Sequence, residues 1–155
     1  MVEYRKIAFL FPGQGSQYVG MGKDFANNYS VARQTFEEAD DLLQSNLSQV
    51  IFDGPQDRLT ETRFSQPSIY VTSMALLRTL KQLFPELKPW VCAGHSLGEY
   101  SALTAAERIR FNDCLQLVQH RADYMGEACL ETKGTMAVVL GLDGPEVEQL
   151  VREVK

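Results

Sequence analysis

The stretch VCAGHSLGEYSA, residues 91–102, decides how the rest of this chain is read. An apolar run, WVCAG (90–94), has the length and composition of a short buried strand. Small residues dominate from Ser101 to Ala106, and the pattern from about Leu97 to Ala106 is that of a helix. Between them stands Gly94-His95-Ser96-Leu97-Gly98, a G-x-S-x-G pattern in a strand–turn–helix setting. Glycines flank the serine because the turn is tight and other backbone passes close to it. The turn exposes the Ser96 hydroxyl, and the N-terminus of the following helix favours negative charge beside it. Ser101, Ala102, Ala105 and Ala106 are small enough to let that helix pack close to a sheet. Ser96 is therefore the candidate nucleophile. The competing reading is a serine that only caps the helix.

A serine nucleophile needs a base, and the chain has two histidines. His95 is the immediate neighbour of Ser96, and adjacent side chains on a sharp turn diverge. His120 falls on a helical pattern over 112–130, where Asp113, Gln116, Asp123 and Glu127 share its face. That is a solvated face. The sequence thus presents a nucleophile without an evident base.

Outward from this centre, KIAFLF (6–11) is a second short apolar run, ending at Pro12-Gly13, and reads as a buried strand. Ser30 is the expected N-cap of a helix over VARQTFEEADDLLQ. Residues 47–64, broken by Asp53-Gly54-Pro55, predict short helical turns. From about Ser65 to Phe84 apolar residues cover most faces of a helical pattern, which predicts a buried helix. Residues 134–142 (GTMAVVLGL) are a third strand candidate. After Asp143-Gly144-Pro145 a helix is expected, with Val147, Leu150, Val151 and Val154 at helical spacing.

The loop FPGQGSQYVGMG (11–22) invites a phosphate-binding reading that its spacing refuses. A dinucleotide fingerprint needs glycine where Tyr18 stands; a P-loop needs Ser or Thr after Gly22-Lys23, where Asp24 stands. In serine acyl chemistry one oxyanion donor is the N–H of the residue after the nucleophile, here Leu97. The second comes from a separate glycine-rich loop at the same sheet end. Gln14, between two glycines, is the candidate for it. An ordinary strand-to-helix turn is the alternative.

On the 112–130 helix, Leu115, Val118, Ala122, Met125 and Cys129 form an apolar stripe. The adjoining stripe is Cys114, Leu117, Arg121, Tyr124 and Ala128, in which Arg121 alone is charged. A guanidinium drawn toward a core needs an anion or an outlet to solvent. Either it snorkels or pairs with a structural carboxylate, or it binds a substrate carboxylate bidentately.

The bulk composition frames these readings. The 155 residues suffice for one ordinary core. With 45% hydrophobic and 23% charged residues the chain is globular. A net charge of −5 with no Lys/Arg run argues against nucleic acid or an anionic membrane as partner. No apolar stretch has spanning length, and MVEYRK is not followed by a signal-type region. Cys92, Cys114 and Cys129 lack CxxC spacing and read as reduced, mostly buried thiols of a cytoplasmic protein, with no metal site.

FPGQGSQ followed by GMG, then Ser65-Gln66-Pro67, then AGHSLGEYSAL, then LVQHRADYM, in this order, resemble the malonyl-CoA:acyl carrier protein transacylases, relatives of the acyltransferase domains of fatty acid and polyketide synthases. The resemblance runs nearly end to end. It implies Ser96 as the acyl-accepting nucleophile, Arg121 as the clamp for the malonyl carboxylate, and the N–H groups of Gln14 and Leu97 as the oxyanion hole. His95 belongs to the motif without being its base.

The resemblance further implies an α/β fold: an α/β-hydrolase-like three-layer core, incomplete here, over residues 1–133. The first strand and helix of an inserted ferredoxin-like subdomain would follow over 134–155. It implies no cofactor. The substrate would be malonyl-CoA, the partner acyl carrier protein with its pantetheine arm. The catalytic histidine of that family lies in the second half of the fold, so a complementary C-terminal half or a second chain is a further expected partner. A serine esterase or thioesterase and a non-catalytic module remain the rival readings.

Overall fold

The computed structural model describes residues 6–131 and 139–153. It is a mixed α/β structure, mostly helical, with a small parallel sheet. Strand β1 (Ala8–Phe11) is followed by α1 (Lys23–Asn28), α2 (Ser30–Leu43), α3 (Leu47–Asp53), α4 (Gln56–Thr60) and α5 (Thr62–Leu83). Then come β2 (Val91–Gly94), α6 (Gly98–Ala105), α7 (Phe111–Glu131) and α8 (Gly144–Glu153).

β1 and β2 pair in parallel, Ala8 opposite Val91 and Phe11 opposite Gly94. The ladder extends past both ends: Trp90 N–H donates to Ile7 (2.8 Å) and His95 N–H to Phe11 (3.2 Å). Parallel pairing sends both strands out at the same end, which is where ligands bind in sheets of this kind. The loops starting at Pro12 and His95 therefore emerge side by side.

Helix α5 is the hub. Ile69, Tyr70, Val71, Met74, Ala75 and Leu77 are buried along it, as its apolar periodicity predicts. Pro67 lies inside this helix and has no N–H for the carbonyl of Arg63. That carbonyl instead accepts from Gln119 Nε2 of α7 at 3.4 Å, so the interruption becomes an interhelix contact. Tyr70 stacks on Phe111 (5.7 Å between centroids), donates to the Phe111 carbonyl (3.2 Å) and shares a hydrogen bond with Thr104 (2.9 Å). It thereby ties α5 to α6 and α7, and its burial pushes the phenol pKa up. Arg78 bonds Glu38 (2.6 Å) and Thr35 (3.1 Å) of α2 and lies 4.3 Å from the centre of the Phe111 ring.

Four expectations need correction. The two strands are not buried: Phe9, Phe11 and Cys92 pack on the core, but Leu10 is 75% and Val91 43% exposed. Side chains alternate across a strand, and among the described residues helices cover only one face of the pair. Ser30 is not an N-cap. Tyr29 alone links α1 to α2 and takes the extended cap conformation, so Ser30 is already helical and no side chain caps α2. The thiols are not mostly buried: Cys114 is, Cys92 is half-buried and Cys129 is exposed. On α7 the stripe through Leu117 and Tyr124 is exposed beyond Cys114, and the other stripe is open by Cys129, because nothing described packs on that part of the helix.

Of the proposed third strand, 134–138 lie outside the described residues and 139–142 carry no regular structure. Helix α8 begins where expected. Asp143 Oδ1 accepts from Glu146 N–H (3.2 Å) and Glu146 Oε2 from Asp143 N–H (3.0 Å), a reciprocal capping box. None of its residues is buried.

Candidate active site

Ser96 sits at the exit of β2 with φ of 51°, in the left-handed region that a non-glycine residue seldom occupies. The hydroxyl-bearing side chain is exposed, whereas Leu97 beside it is fully buried. The turn is tight because two glycines touch. A Cβ on Gly94 would overlap the backbone of Gly98 and Glu99, and one on Gly98 would overlap the carbonyl of Phe11. Helix α6 is thus seated directly against the two strands, with Ser101, Ala102 and Ala105 buried beneath it. A strained residue persists only where its surroundings over-determine it, and here the two glycine contacts do so. Ser96 does not cap α6 through its side chain.

These contacts make a sharp prediction. Gly98→Ala forces backbone apart and lowers stability by about 3 kcal/mol or more. Gly126→Ala is the control: it lies inside α7 with open space around it, and gains about 0.5–1 kcal/mol. Urea unfolding of the two variants, each paired with a complementary C-terminal half, checks this. Equal midpoints would mean that the close approach is not what holds the turn.

The loop leaving β1 packs onto the same turn. Gly13 is buried, and a Cβ there would lie 2.6 Å from His95 Nδ1 and 2.7 Å from the His95 carbonyl. The imidazole of His95 is therefore turned over Gly13. His120 is exposed on α7 and stacks on Tyr124 (6.3 Å). Among the described residues neither histidine is hydrogen-bonded to Ser96. Two N–H groups of the glycine loop are engaged inward, Gly15 with Gln17 Oε1 (2.8 Å) and Ser16 with the Gly13 carbonyl (3.4 Å). Those of Gln14 and Leu97 donate to no protein acceptor among the described residues.

Arg121 comes to this place from α7. One of its NH2 groups donates to Ser96 Oγ at 3.0 Å. The other donates to Oε1 of Gln66 on α5, and the guanidinium lies 5.9 Å from the centre of the Tyr100 ring. Among the described residues no carboxylate pairs with it, in contrast to Arg78 with Glu38. Gln66 is fully buried. Its Nε2 donates to Oε1 of Gln14 (3.4 Å) and to Met125 Sδ (3.3 Å), and Gln14 Nε2 donates in turn to Thr62 Oγ1 (3.2 Å). Gln66 was not singled out for any role by the sequence. The available signal was its place in Ser65-Gln66-Pro67, one of the stretches that carry the resemblance, which names no role for it. Cys92, on the strand under the turn, has its thiol pKa pushed up by burial, away from thiolate chemistry.

Comparison with known proteins gives the chain a family. A family model described as acyl transferase domain matches residues 8–153. The chain is 44% identical to the malonyl CoA-acyl carrier protein transacylase of Bacillus subtilis (strain 168) over 149 residues, covering 96% of this chain and 46% of that protein. The crystal structure of an acyl-carrier-protein-S-malonyltransferase from Bartonella henselae superposes with a TM-score of 0.83 at 42% identity, over 97% of this chain and 48% of that one. A type II PKS acyl-carrier protein in complex with its malonyl-transacylase matches with a TM-score of 0.82 at 37% identity, over 97% of this chain and 48% of that chain. The chain spans about half the length of the curated relatives it matches.

Proposed function

Since the chain belongs to the acyl transferase domain family, we propose that it supplies the nucleophile half of a malonyl transferase site, in which a malonyl group passes from malonyl-CoA to the pantetheine thiol of acyl carrier protein. The observation that carries this reading is the Arg121 guanidinium, 3.0 Å from Ser96 Oγ and without a carboxylate partner among the described residues. A cation so placed next to a nucleophile suits a substrate that carries a carboxylate near its reacting carbonyl.

In this reading Ser96 Oγ attacks the thioester carbonyl carbon and gives its proton to a base contributed from outside the described residues. The tetrahedral oxyanion is held by the N–H groups of Gln14 and Leu97, with the N-terminus of α6 behind it. The C–S bond breaks, and the CoA sulfur leaves with the proton. The carrier protein's thiol then attacks the serine ester and restores Ser96, a ping-pong sequence. No cofactor takes part, the pantetheine arm being the partner's. The named relatives act between malonyl CoA and acyl carrier protein, and one neighbour is a carrier-protein complex. Both support the same pair of partners here.

The architecture proposed with it is an α/β-hydrolase-like unit over 1–133 and the opening strand and helix of a ferredoxin-like subdomain over 134–155. A cytoplasmic location goes with this reading. Among the described residues no helix is long and apolar enough to cross a membrane.

Arg121→Ala tests the proposal. Malonyl transfer should fall by about 2–4 kcal/mol in kcat/KM, roughly thirty- to a thousand-fold, while acetyl transfer stays within a few-fold. An equal loss for both acyl groups would make Arg121 a structural arginine. Release of the acyl group to water in preference to thiol would favour the hydrolase reading.

A further inference from the structure

We infer that Gln66 is the positioning residue of the acyl-group clamp: its carboxamide fixes the guanidinium of Arg121 against Ser96. The inference rests on the clamp reading above and adds a residue to it. Gln66 is fully buried on α5, one residue before Pro67. A buried amide must satisfy both its oxygen and its nitrogen. Its oxygen faces Arg121, which has only donors to offer. Its nitrogen is then bound to face acceptors, and it finds two: Gln14 Oε1 at 3.4 Å and Met125 Sδ at 3.3 Å. The amide cannot flip without setting donor against donor at Arg121.

Arg121 is therefore held at one NH2 group, which leaves the other aimed at Ser96 Oγ. An arginine side chain has many rotamers, and holding it in advance removes that ordering cost from substrate binding. A neutral amide is suited to this task. A carboxylate at the same place would pair with the guanidinium and compete with the substrate's own carboxylate. Arg78, paired with Glu38, shows the alternative arrangement within the same molecule. The chain Arg121–Gln66–Gln14–Thr62 also joins the clamp to the loop that starts at Pro12.

The experiment uses Gln66→Leu and Gln66→Glu, alone and combined with Arg121→Ala, in this chain complemented with the C-terminal half of a full-length family member. Steady-state transfer is measured with malonyl-CoA and with acetyl-CoA, after circular dichroism confirms folding. Gln66→Leu should lower the malonyl-to-acetyl ratio of kcat/KM about tenfold. In the Arg121→Ala background the same change should alter malonyl transfer by less than about twofold, because the residue acts through Arg121. Gln66→Glu, which keeps the size and an oxygen facing Arg121, should lower the ratio at least as far by raising KM for malonyl-CoA. An unchanged ratio in both single variants, an equal loss for both substrates, or full additivity with Arg121→Ala would each overturn the assignment. The wild-type ratio separates the two levels of the argument. If the unaltered enzyme does not prefer malonyl-CoA, the clamp reading itself fails; if it does and the Gln66 variants keep that preference, only the role of Gln66 fails.

Discussion

Ser96→Ala abolishes acyl labelling of the protein by malonyl-CoA and leaves it folded. The substitution removes only Oγ, from an exposed side chain whose described hydrogen bond is to Arg121. The left-handed backbone at Ser96 is imposed by the Gly94–Gly98 and Gly98–Phe11 contacts, none of which involves the hydroxyl. Stability should change by less than about 1 kcal/mol. Without Oγ no ester can form, and transfer should fall by about 10³-fold or more, with any remainder coming from binding and the oxyanion hole. Intact-mass spectrometry after incubation with malonyl-CoA reads the result directly. A malonyl adduct persisting on the Ala variant, mapped to another residue, would show that Ser96 is not the acceptor.

The second large effect concerns completeness. Residues 1–155 expressed alone should neither unfold cooperatively nor turn over repeatedly, and both properties should return with a complementary C-terminal half from a full-length family member. The reason lies on the surface. One face of the β1–β2 pair is bare at Leu10 and Val91. A groove of about 800 Å³ runs along β1 between α1 and α5, lined among others by Phe25, Leu76, Leu80 and Phe84. Leu117, Tyr124 and Leu130 stand exposed on α7. Each large apolar side chain is worth about 1.5–3 kcal/mol when covered, so a handful of them rivals the net stability of an ordinary domain. Among the described residues no histidine bonds Ser96, and a serine hydroxyl without its base is a weak nucleophile at neutral pH. Urea unfolding followed by two probes, with a multiple-turnover transfer assay, tests both halves of the statement. Coincident, steep transitions together with sustained turnover by the segment alone would refute it. Slow single labelling of Ser96 would not, because an oxyanion hole can act without the base.

What could be read from the sequence depended on how locally each feature is determined. The turn at Ser96 was legible because its requirements are local: two glycines at fixed offsets and small residues after them. The buried helix over α5 was legible because its apolar residues cover most of its circumference. The placement of Arg121 was half legible. An isolated charge in a stripe announces that something unusual is needed, but not that α5 supplies one partner and β2's exit loop the other.

Gln66 was illegible as a site residue. Its surroundings exist only where α5, α7 and the glycine loop meet, and no periodicity encodes that meeting. The exposure of β1 and β2 was misread for a related reason. Val, Leu and Phe state what a strand tends to bury, not whether a layer is present to cover it. Ser30 failed as a cap because Tyr29 serves both as the C-cap of α1 and as the N-cap of α2, so that α2 already begins at Ser30, which is a constraint between elements and not within one.

The parallel register of β1 with β2 carries a consequence for the order of events during folding. The glycine loop and the serine turn are distant along the chain, and α1 to α5 lie between them. Closing so long a segment is entropically slow compared with forming any one of those helices. Until it closes, Gly98 has no Phe11 carbonyl against which to seat, Gly13 has no His95 above it, and nothing compels Ser96 into its left-handed conformation. Before that closure Ser96 is an ordinary serine, and the strained turn that displays its hydroxyl forms only together with the long-range contact.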